Sequence, residues 1–106
     1  MHKLFVYGAL LDSGERRRLL GRRVQSEPAH LPGFFRGRKR YFFVARKDGE
    51  QVDGAILTDL NDQDLAILDN YEEVPRLYTR ESIEATGRSG AKVRCWVYLP
   101  TGWEQE

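Results

Sequence analysis

The sequence predicts an α+β protein of about five strands and one main helix, and three observations lead to this prediction. An apolar run opens the chain and stops at Gly8, residues 61–73 carry the pattern of a helix, and residues 92–99 alternate between two faces. At 106 residues the chain is long enough for one hydrophobic core and short of the two-domain range. We therefore assign residues 1–106 to a single domain.

The apolar run at the start of the chain predicts a central strand that ends in a tight loop. Phe5, Val6 and Tyr7 are residue types that suit a buried strand, while Gly8 permits backbone angles or close contacts that a side chain would forbid. Backbone amides that turn together after a strand form a small concave site for a carboxylate or another anion. The alternative interpretation is that Gly8 only closes a turn.

A short helix is predicted between Asp12 and Gly21. It contains or adjoins the strongest basic cluster of the chain, which consists of Arg16, Arg17, Arg18, Arg22 and Arg23. We interpret this cluster as a solvated face, because no aromatic residues are interleaved with it and no nucleic-acid motif is recognisable. Binding of nucleic acid or an acidic partner, through this cluster and Arg36 to Arg40, is the less favoured alternative.

The middle of the chain predicts a pair of strands. Pro28 and the pair Pro32-Gly33 indicate a loop that crosses to the next element. A strand is predicted over residues 38–45, and Asp48-Gly49 is a strong signal for a hairpin turn. Residues 51–60 would then form the returning strand.

The main helix is predicted to begin at Asn61, with Asp64 placed three residues later as in a capping box. Leu65, Leu68 and Glu72 recur at spacings of three and four, so Glu72 lies within roughly 20° of Leu65 on the same helix face. A carboxylate at the end of an apolar stripe has a raised pKa, which suits it to proton transfer near neutral pH. The alternative is that the helix frays and Glu72 points into water.

Two further strands are predicted after the helix, which Pro75 ends. They cover residues 77–85 and 92–99. Cys95 falls on the apolar face of the second of these strands, so we interpret it as a small buried hydrophobic residue. Periodicity does not distinguish a closed barrel from an open sheet.

The composition limits which metals or cofactors the protein can bind and where in the cell it is expected. The formal net charge is +1, although residues 1–50 carry 12 of the 17 Lys and Arg and only 5 of the 16 Asp and Glu. One cysteine and two histidines offer no metal-ligand spacing, so we assign no metal and no cofactor. The chain lacks a long apolar segment and a secretory leader, which predicts a cytoplasmic protein without a membrane span. The sequence indicates no particular oligomeric state.

Several segments, in one order, resemble the gamma-glutamylcyclotransferase-like superfamily, which includes gamma-glutamylamine cyclotransferases. The loop Tyr7-Gly8-Ala9-Leu10 is similar to the family's Tyr-Gly-Ser-Leu loop. Leu68 to Glu72, followed by Tyr78-Thr79-Arg80, is similar to its helix-end acid and the strand after it. Leu31 to Phe34 and Val52 to Ile56 fall where members have similar segments, so the resemblance spans nearly the whole chain.

The resemblance implies a small mixed β-barrel of about five or more strands with one main helix and short flanking helices. It also implies cleavage of a γ-glutamyl amide by internal cyclisation to 5-oxoproline, with Glu72 as general acid/base. The partner would be a small molecule that carries a γ-glutamyl group. The substrate-binding residues that it implies are Tyr7, Gly8, Ala9, Leu10 and Tyr78, with packing as an alternative role for Tyr78. Arg80 is expected to form an ion pair with an acid.

Two departures from the family pattern bear on this expectation. Ala9 stands where Ser or Thr is usual, which removes a hydroxyl that could bind the substrate, and Glu73 stands where glycine is frequent. Adjacent helical residues point roughly 100° apart, so only one of the acids Glu72 and Glu73 can face a cleft, and the apolar stripe selects Glu72. A non-catalytic ligand-binding protein on the same fold is the alternative function.

Overall fold

The computed structural model describes residues 1–106. The chain forms five strands and two helices in the order β1 (His2–Val6), α1 (Ser13–Leu20), β2 (Ser26–Arg38), β3 (Phe42–Leu60), α2 (Asp62–Tyr71), β4 (Tyr78–Gly87) and β5 (Lys92–Pro100). Two short 3-10 turns cover Ala9–Leu11 and Trp103–Gln105. The predicted position of the main helix, between the third and fourth strands, is confirmed.

The five strands close into a barrel in the order β1, β3, β2, β4, β5. Closure depends on β1 and β5, which pair in parallel through Leu4 and Trp96, while the other strand pairs are antiparallel. The barrel is therefore mixed, as the family resemblance implied.

Strand β1 is buried on both faces, which explains its continuous apolar run. Phe5 belongs to the cluster inside the barrel, together with Val97 of β5. Leu4 belongs to a second cluster, in which Leu65 and Leu68 of helix α2 pack against the outside of the barrel. The strand thus joins the two halves of the core.

The predicted hairpin turn at Asp48-Gly49 is wrong, because β3 continues through it. Phe34 pairs with Arg46, and Pro32 pairs with Gln51. An advance of two residues along β2 therefore corresponds to an advance of five residues along β3. The additional residues form a bulge in which Gly49 adopts a left-handed φ of 84°. The local turn chemistry is present, but the residues on both sides of it pair with the same neighbouring strand, so the chain does not reverse.

The predicted loop around Pro28 and Pro32 is also wrong, because both prolines lie inside β2. Strand β2 pairs with β3 along its length, but with β4 only at Ala29 and His30. Prolines are tolerated where a strand edge needs no N–H donor. The reversal between the two strands falls at residues 39–41, inside the segment that the sequence predicts as a strand.

Both helices begin where the sequence predicts. The Asp12 side chain accepts a hydrogen bond from the Gly14 amide, and Gly21 ends α1 in a left-handed conformation with φ 72°. The capping box predicted for α2 is present, since Asn61 and Asp64 each accept a hydrogen bond from the other's backbone amide. Short-range capping signals therefore located both helices.

Candidate active site

A cavity of about 410 Å³ opens where the end of β1, the β2–β3 turn, the end of α2 and the start of β4 meet. The residues that line it are mostly apolar or aromatic, with four charged side chains at Arg38, Arg40, Glu72 and Glu73. Every site residue that the sequence indicated lies on this wall: Tyr7, Gly8, Ala9, Leu10, Glu72 and Tyr78. The two distant stretches of the chain therefore meet at one cavity.

Glu72 is the C-cap residue of α2 and is partly buried. Its backbone amide donates a hydrogen bond of 2.9 Å to the Leu68 carbonyl, which keeps the residue in register with the apolar stripe of the helix. The Glu72 carboxylate forms no ion pair or hydrogen bond within the protein. Burial raises its pKa from 4.5 to about 7. The group can therefore accept or release a proton near neutral pH.

Glu73 occupies a different environment from its neighbour. It is exposed, its side chain pairs with Arg76, and its backbone adopts a left-handed φ of 57°. This conformation is the one that glycine adopts at least cost, which gives a physical reason for the glycine frequent at this position in the resembling family. The unpaired carboxylate in the cavity is thus that of Glu72.

The Gly8 loop forms part of the cavity wall through Gly8, Ala9 and Leu10. Residues 9–11 form a 3-10 turn in which the Leu11 amide donates a hydrogen bond of 3.0 Å to the Gly8 carbonyl. The amides of Gly8, Ala9 and Leu10 donate to no carbonyl or side chain of the protein. These three donors remain free for an acceptor from outside the chain.

No close contact requires glycine at position 8, although its backbone angles, φ −131° and ψ −129°, lie outside the helical and strand regions. Gly8 has a φ of −131°, and a Cβ atom there would lie 3.5 Å from the Phe42 side chain, an ordinary contact. A forced close contact with the backbone occurs at Gly54, where a Cβ atom would lie 2.3 Å from the Val6 carbonyl oxygen. Gly54 therefore lets β3 approach β1, while a side chain at position 8 would project towards the cavity residue Phe42.

Arg16 stabilises the Gly8 loop through hydrogen bonds to its backbone carbonyls. Its guanidinium donates hydrogen bonds to the Leu10 carbonyl at 2.9 Å and the Leu11 carbonyl at 3.1 Å, and the residue is only 6% exposed. The prediction that the basic cluster is solvated is wrong for this residue. Loop carbonyls that have no helical partner need buried donors, and this requirement is not visible in the local sequence.

The remaining members of the basic cluster are dispersed on the surface. Arg18 pairs with Glu15, and Arg22 pairs with Asp59 and Asp64, so part of the cluster is neutralised by neighbouring acids. Arg17 and Arg23 are exposed. For these residues the structure agrees with a charged, solvated face.

Three tyrosines hold the walls of the cavity in place. The Tyr7 hydroxyl donates to the Tyr98 carbonyl at 2.7 Å, and the Tyr78 hydroxyl donates to the Phe42 carbonyl at 2.6 Å. Burial is the main cause that raises the pKa of each of the three phenols, so they are neutral donors at physiological pH. Tyr78 both lines the cavity and packs in the core, so its two expected roles are compatible.

An ion pair connects α2 to strand β4 of the barrel. Arg80 donates to both carboxylate oxygens of Asp69 at 2.8 and 3.0 Å, which confirms the expected ion pair of Arg80. The Tyr98 hydroxyl donates to the same carboxylate at 2.8 Å. Because Asp69 precedes Glu72 by one helical turn, this network positions the helix end that carries the candidate acid.

Several residues of the cavity wall were not selected as site residues from the sequence, although the aromatics of residues 41–43 had a place beside the cleft as a less favoured alternative to the core: Arg38, Arg40, Tyr41, Phe42 and Tyr98. Arg40 and Tyr41 lie in the β2–β3 turn, and Arg38 and Phe42 are the strand residues that flank it, whereas the sequence places all four inside one strand. The aromatic and basic composition of residues 38–42 was the available signal, but the misplaced turn concealed it. Tyr98 lies on the outer face of β5, under the helix, as the alternation of that strand predicts.

Two further observations concern metals and membranes. The side chains of His, Cys, Asp and Glu nowhere form a group of three that could hold a metal ion. Neither helix has the length and apolar character needed to cross a membrane.

The fold is a small closed barrel, and one cavity is lined both by an acid at a helix end and by a glycine-containing loop. The sequence matches the family described as "Gamma-glutamyl cyclotransferase, AIG2-like" over residues 4–106. The chain belongs to this family.

Individual relatives agree with this assignment. A Methanocaldococcus jannaschii protein named as a gamma-glutamylcyclotransferase and putative RNase is 31% identical over 101 residues, which cover 92% of this chain and 46% of that protein. The AIG2-like protein D of Arabidopsis thaliana is 34% identical over 105 residues, which cover 93% of this chain and 67% of that protein. The chain thus spans about half of the first relative and two thirds of the second.

A solved structure shows the same fold. The solution structure of an Arabidopsis thaliana protein superposes with a TM-score of 0.85 at 27% sequence identity, covering 95% of this chain and 62% of that one. The shared barrel therefore extends over nearly all of the chain described above.

Proposed function

We propose that this protein is a gamma-glutamyl cyclotransferase that releases 5-oxoproline and a free amine from a γ-glutamyl amine or small γ-glutamyl peptide. The observation that carries the proposal is the unpaired Glu72 carboxylate in the same cavity as the free amides of Gly8 to Leu10. Family membership supports the reaction class.

The substrate contains its own nucleophile and electrophile. The α-amine nitrogen attacks the γ-carbonyl carbon, a five-membered ring forms, and the bond between that carbon and the leaving amine nitrogen breaks. Holding the glutamyl chain in this near-attack shape can supply on the order of 7 to 11 kcal/mol at best, because orientation is fixed before reaction. The cavity walls would provide this restraint.

Glu72 would manage the proton in this reaction. Its carboxylate takes a proton from the α-ammonium or the attacking amine, and the resulting acid returns a proton to the departing amine. A pKa of about 7 suits both steps, since the group then exchanges protons readily at physiological pH. No net proton is gained or lost by Glu72 over the cycle.

The amides of Gly8, Ala9 and Leu10 would bind the α-carboxylate of the substrate. They or neighbouring donors would also stabilise the oxyanion that forms at the γ-carbonyl, and the hydroxyls of Tyr7 and Tyr78 lie on the same wall. Each of these tyrosines already donates to a backbone carbonyl, so the amides are the uncommitted donors.

The proposal is tested by incubating the purified protein with γ-glutamyl amines and γ-glutamyl dipeptides and measuring 5-oxoproline. Glu72→Gln should reduce its formation by at least about 100-fold. Glu73→Gln is the matched control, because it removes the adjacent carboxylate, which is exposed and paired with Arg76. Absence of product from every compound with the wild-type protein, or equal turnover by Glu72→Gln, would reject the proposal.

A second candidate function is binding of a γ-glutamyl ligand without turnover, and Ala9 is the observation that favours it. The missing hydroxyl removes one donor from the loop, while the amides stay available. Thermal stabilisation by a γ-glutamyl compound that is recovered unchanged would identify this function.

A further inference from the structure

The charges that line the cavity do not balance. Of its four charged side chains, Glu73 pairs with Arg76 outside the cavity, and Glu72 is a partly buried acid without a partner. Arg38 and Arg40 form no ion pair and no hydrogen bond with any acid of the chain. The wall thus contains two guanidinium groups without an acidic partner and one carboxylate without a basic partner.

Aromatic rings hold these arginines at the cavity rim. The Arg38 guanidinium lies 5.0 Å from the centre of the Phe42 ring, and the Arg40 guanidinium lies 5.7 Å from the centre of the Tyr41 ring. Contact with an aromatic ring restricts the plane of a guanidinium without using its N–H donors. Both groups therefore keep donors that can bind a carboxylate.

Arg36 has a different role from its neighbours. It contacts the same Phe42 ring at 5.0 Å, but its guanidinium also donates a hydrogen bond of 2.9 Å to the Tyr7 carbonyl. This bond connects the end of β2 to the Gly8 loop, so Arg36 fixes where the rim lies. Arg38, at the end of β2, and Arg40, in the β2–β3 turn, have no such backbone attachment and line the cavity.

We propose that Arg38 and Arg40 form a carboxylate subsite for the leaving amine, so that γ-glutamyl amino acids are preferred over γ-glutamyl derivatives of neutral or cationic amines. This inference rests on the proposed function, in which the loop amides bind the glutamyl α-carboxylate and leave the arginines free for the other end of the substrate. Two exposed guanidiniums attract an anionic amine and repel a cationic one.

The test compares three compounds that differ in charge at one position: γ-glutamyl-glycine, γ-glutamyl-glycinamide and γ-glutamyl-ethylenediamine. They present an anionic, a neutral and a cationic leaving amine of similar size. We expect kcat/KM to fall in that order, by about tenfold between the anionic and neutral compounds, because each exposed pair contributes about a factor of three. The preference should shrink as ionic strength rises, since the arginines are exposed.

Substitution of the arginines distinguishes binding by Arg38 and Arg40 from attraction by the positive charge of the whole surface. Arg38→Gln and Arg40→Gln should each reduce the preference for γ-glutamyl-glycine over γ-glutamyl-glycinamide about threefold, and the double variant should remove it. Arg46→Gln is the matched control, since Arg46 is an exposed arginine over the ring of Phe34 and outside the cavity. Its substitution should leave the preference unchanged, and thermal unfolding verifies that each variant is folded.

Three results would overturn the inference. The first is similar turnover of all three compounds, and the second is an unchanged preference in the double variant. The third is an equal loss of kcat/KM for all three compounds in the double variant, which would indicate that the arginines bind the glutamyl α-carboxylate.

Binding measurements keep the inference distinct from the proposed function. Calorimetry with the Glu72→Gln protein measures the affinity for each compound without turnover. If the wild-type protein forms no 5-oxoproline but affinity still ranks anionic above neutral above cationic, the proposed reaction fails and the carboxylate subsite stands. Equal affinities overturn the subsite whether or not the reaction occurs.

Discussion

The Tyr98 hydroxyl donates a hydrogen bond of 2.8 Å to the carboxylate of Asp69, and this contact joins the two halves of the candidate site. The Tyr98 carbonyl accepts a hydrogen bond from the Tyr7 hydroxyl, so one residue of β5 touches both the Gly8 loop and helix α2. The separation between the loop amides and Glu72 thus depends on the barrel wall between them.

Tyr98→Phe should loosen this connection while leaving the core volume nearly unchanged. We expect a loss of about 1–2 kcal/mol in the free energy of unfolding, because the partly buried Asp69 carboxylate loses a hydrogen bond. Turnover should decrease more than the KM increases, since the positions of Glu72 and the loop change relative to each other. Urea unfolding and steady-state kinetics measure the two effects. Unchanged kcat would show that this contact serves stability only.

The pH dependence of the free energy of unfolding should reveal the raised pKa of the Glu72 carboxyl group. Its pKa is about 7 in the folded protein and 4.5 when exposed, so the folded state binds more protons between these values. The contribution of the Glu72 carboxyl group to the free energy of unfolding is therefore fully present below about pH 4.5 and is lost as pH rises through 7. This loss is on the order of 2–3 kcal/mol.

Glu72→Gln should remove this dependence. The variant should become more stable than the wild type as pH rises from 5 to 8, as measured by urea unfolding at several pH values. If the difference in unfolding free energy between the two proteins is constant over this range, the pKa of Glu72 is not raised. In the wild type, kcat/KM should fall below about pH 7, because the base form is lost.

Arg16→Met should destabilise the Gly8 loop. The Leu10 and Leu11 carbonyls would lose a buried charged donor, which we expect to lower the free energy of unfolding by about 2 kcal/mol or more. KM should rise as the loop amides lose their fixed positions. Arg17→Met is the control, because Arg17 is the exposed neighbour on the same helix. Equal effects of the two substitutions would contradict the assigned role of Arg16.

Glu73→Gly should stabilise the protein by about 1 kcal/mol. The left-handed backbone at this position, with φ 57°, is costly for a residue with a Cβ atom, and the exposed pair with Arg76 contributes little in return. Thermal unfolding measures the change, and turnover should persist. Destabilisation by this substitution would mean that the pair with Arg76 outweighs the backbone cost.

Ala9→Ser should strengthen substrate binding. It restores the hydroxyl usual at this loop position in the family, next to the free amides of Gly8 and Leu10. One added hydrogen bond contributes about 1 kcal/mol, so KM should fall about fivefold. Kinetics with γ-glutamyl-glycine measure the change, and Ala9→Val serves as the control for added size without a donor. A KM that falls equally in both variants would attribute the gain to packing.

Features that depend on nearby residues were predictable from the sequence. The caps at Asp12 and Asn61 and the left-handed Gly21 involve groups a few residues apart, so they appear in the sequence as spacings. The stripe that ends in Glu72 is equally local, because helix geometry alone brings its members onto one face. The Gly8 loop and the helix end each had a recognisable family pattern as well.

Features that depend on strand pairing were not predictable in the same way. Asp48-Gly49 has the chemistry of a turn, yet the pairing of its flanking residues with β2 makes it a bulge. Pro28 and Pro32 indicate a loop, yet β3 on one side is enough to hold them in a strand. In both cases contacts with a neighbouring strand outweigh local preference.

By itself, the amino-acid sequence determined that this chain would have a buried first strand, two capped helices and an acid at the end of an apolar stripe. Only the tertiary structure decided that Arg16 is buried behind the loop, that Arg38 and Arg40 line the cavity, and that Tyr98 connects its two sides. The physical reason is the separation along the sequence between the residues that interact. Helix caps and apolar stripes form between residues a few positions apart. Burial and charge balance depend instead on which distant segments the closed barrel brings together.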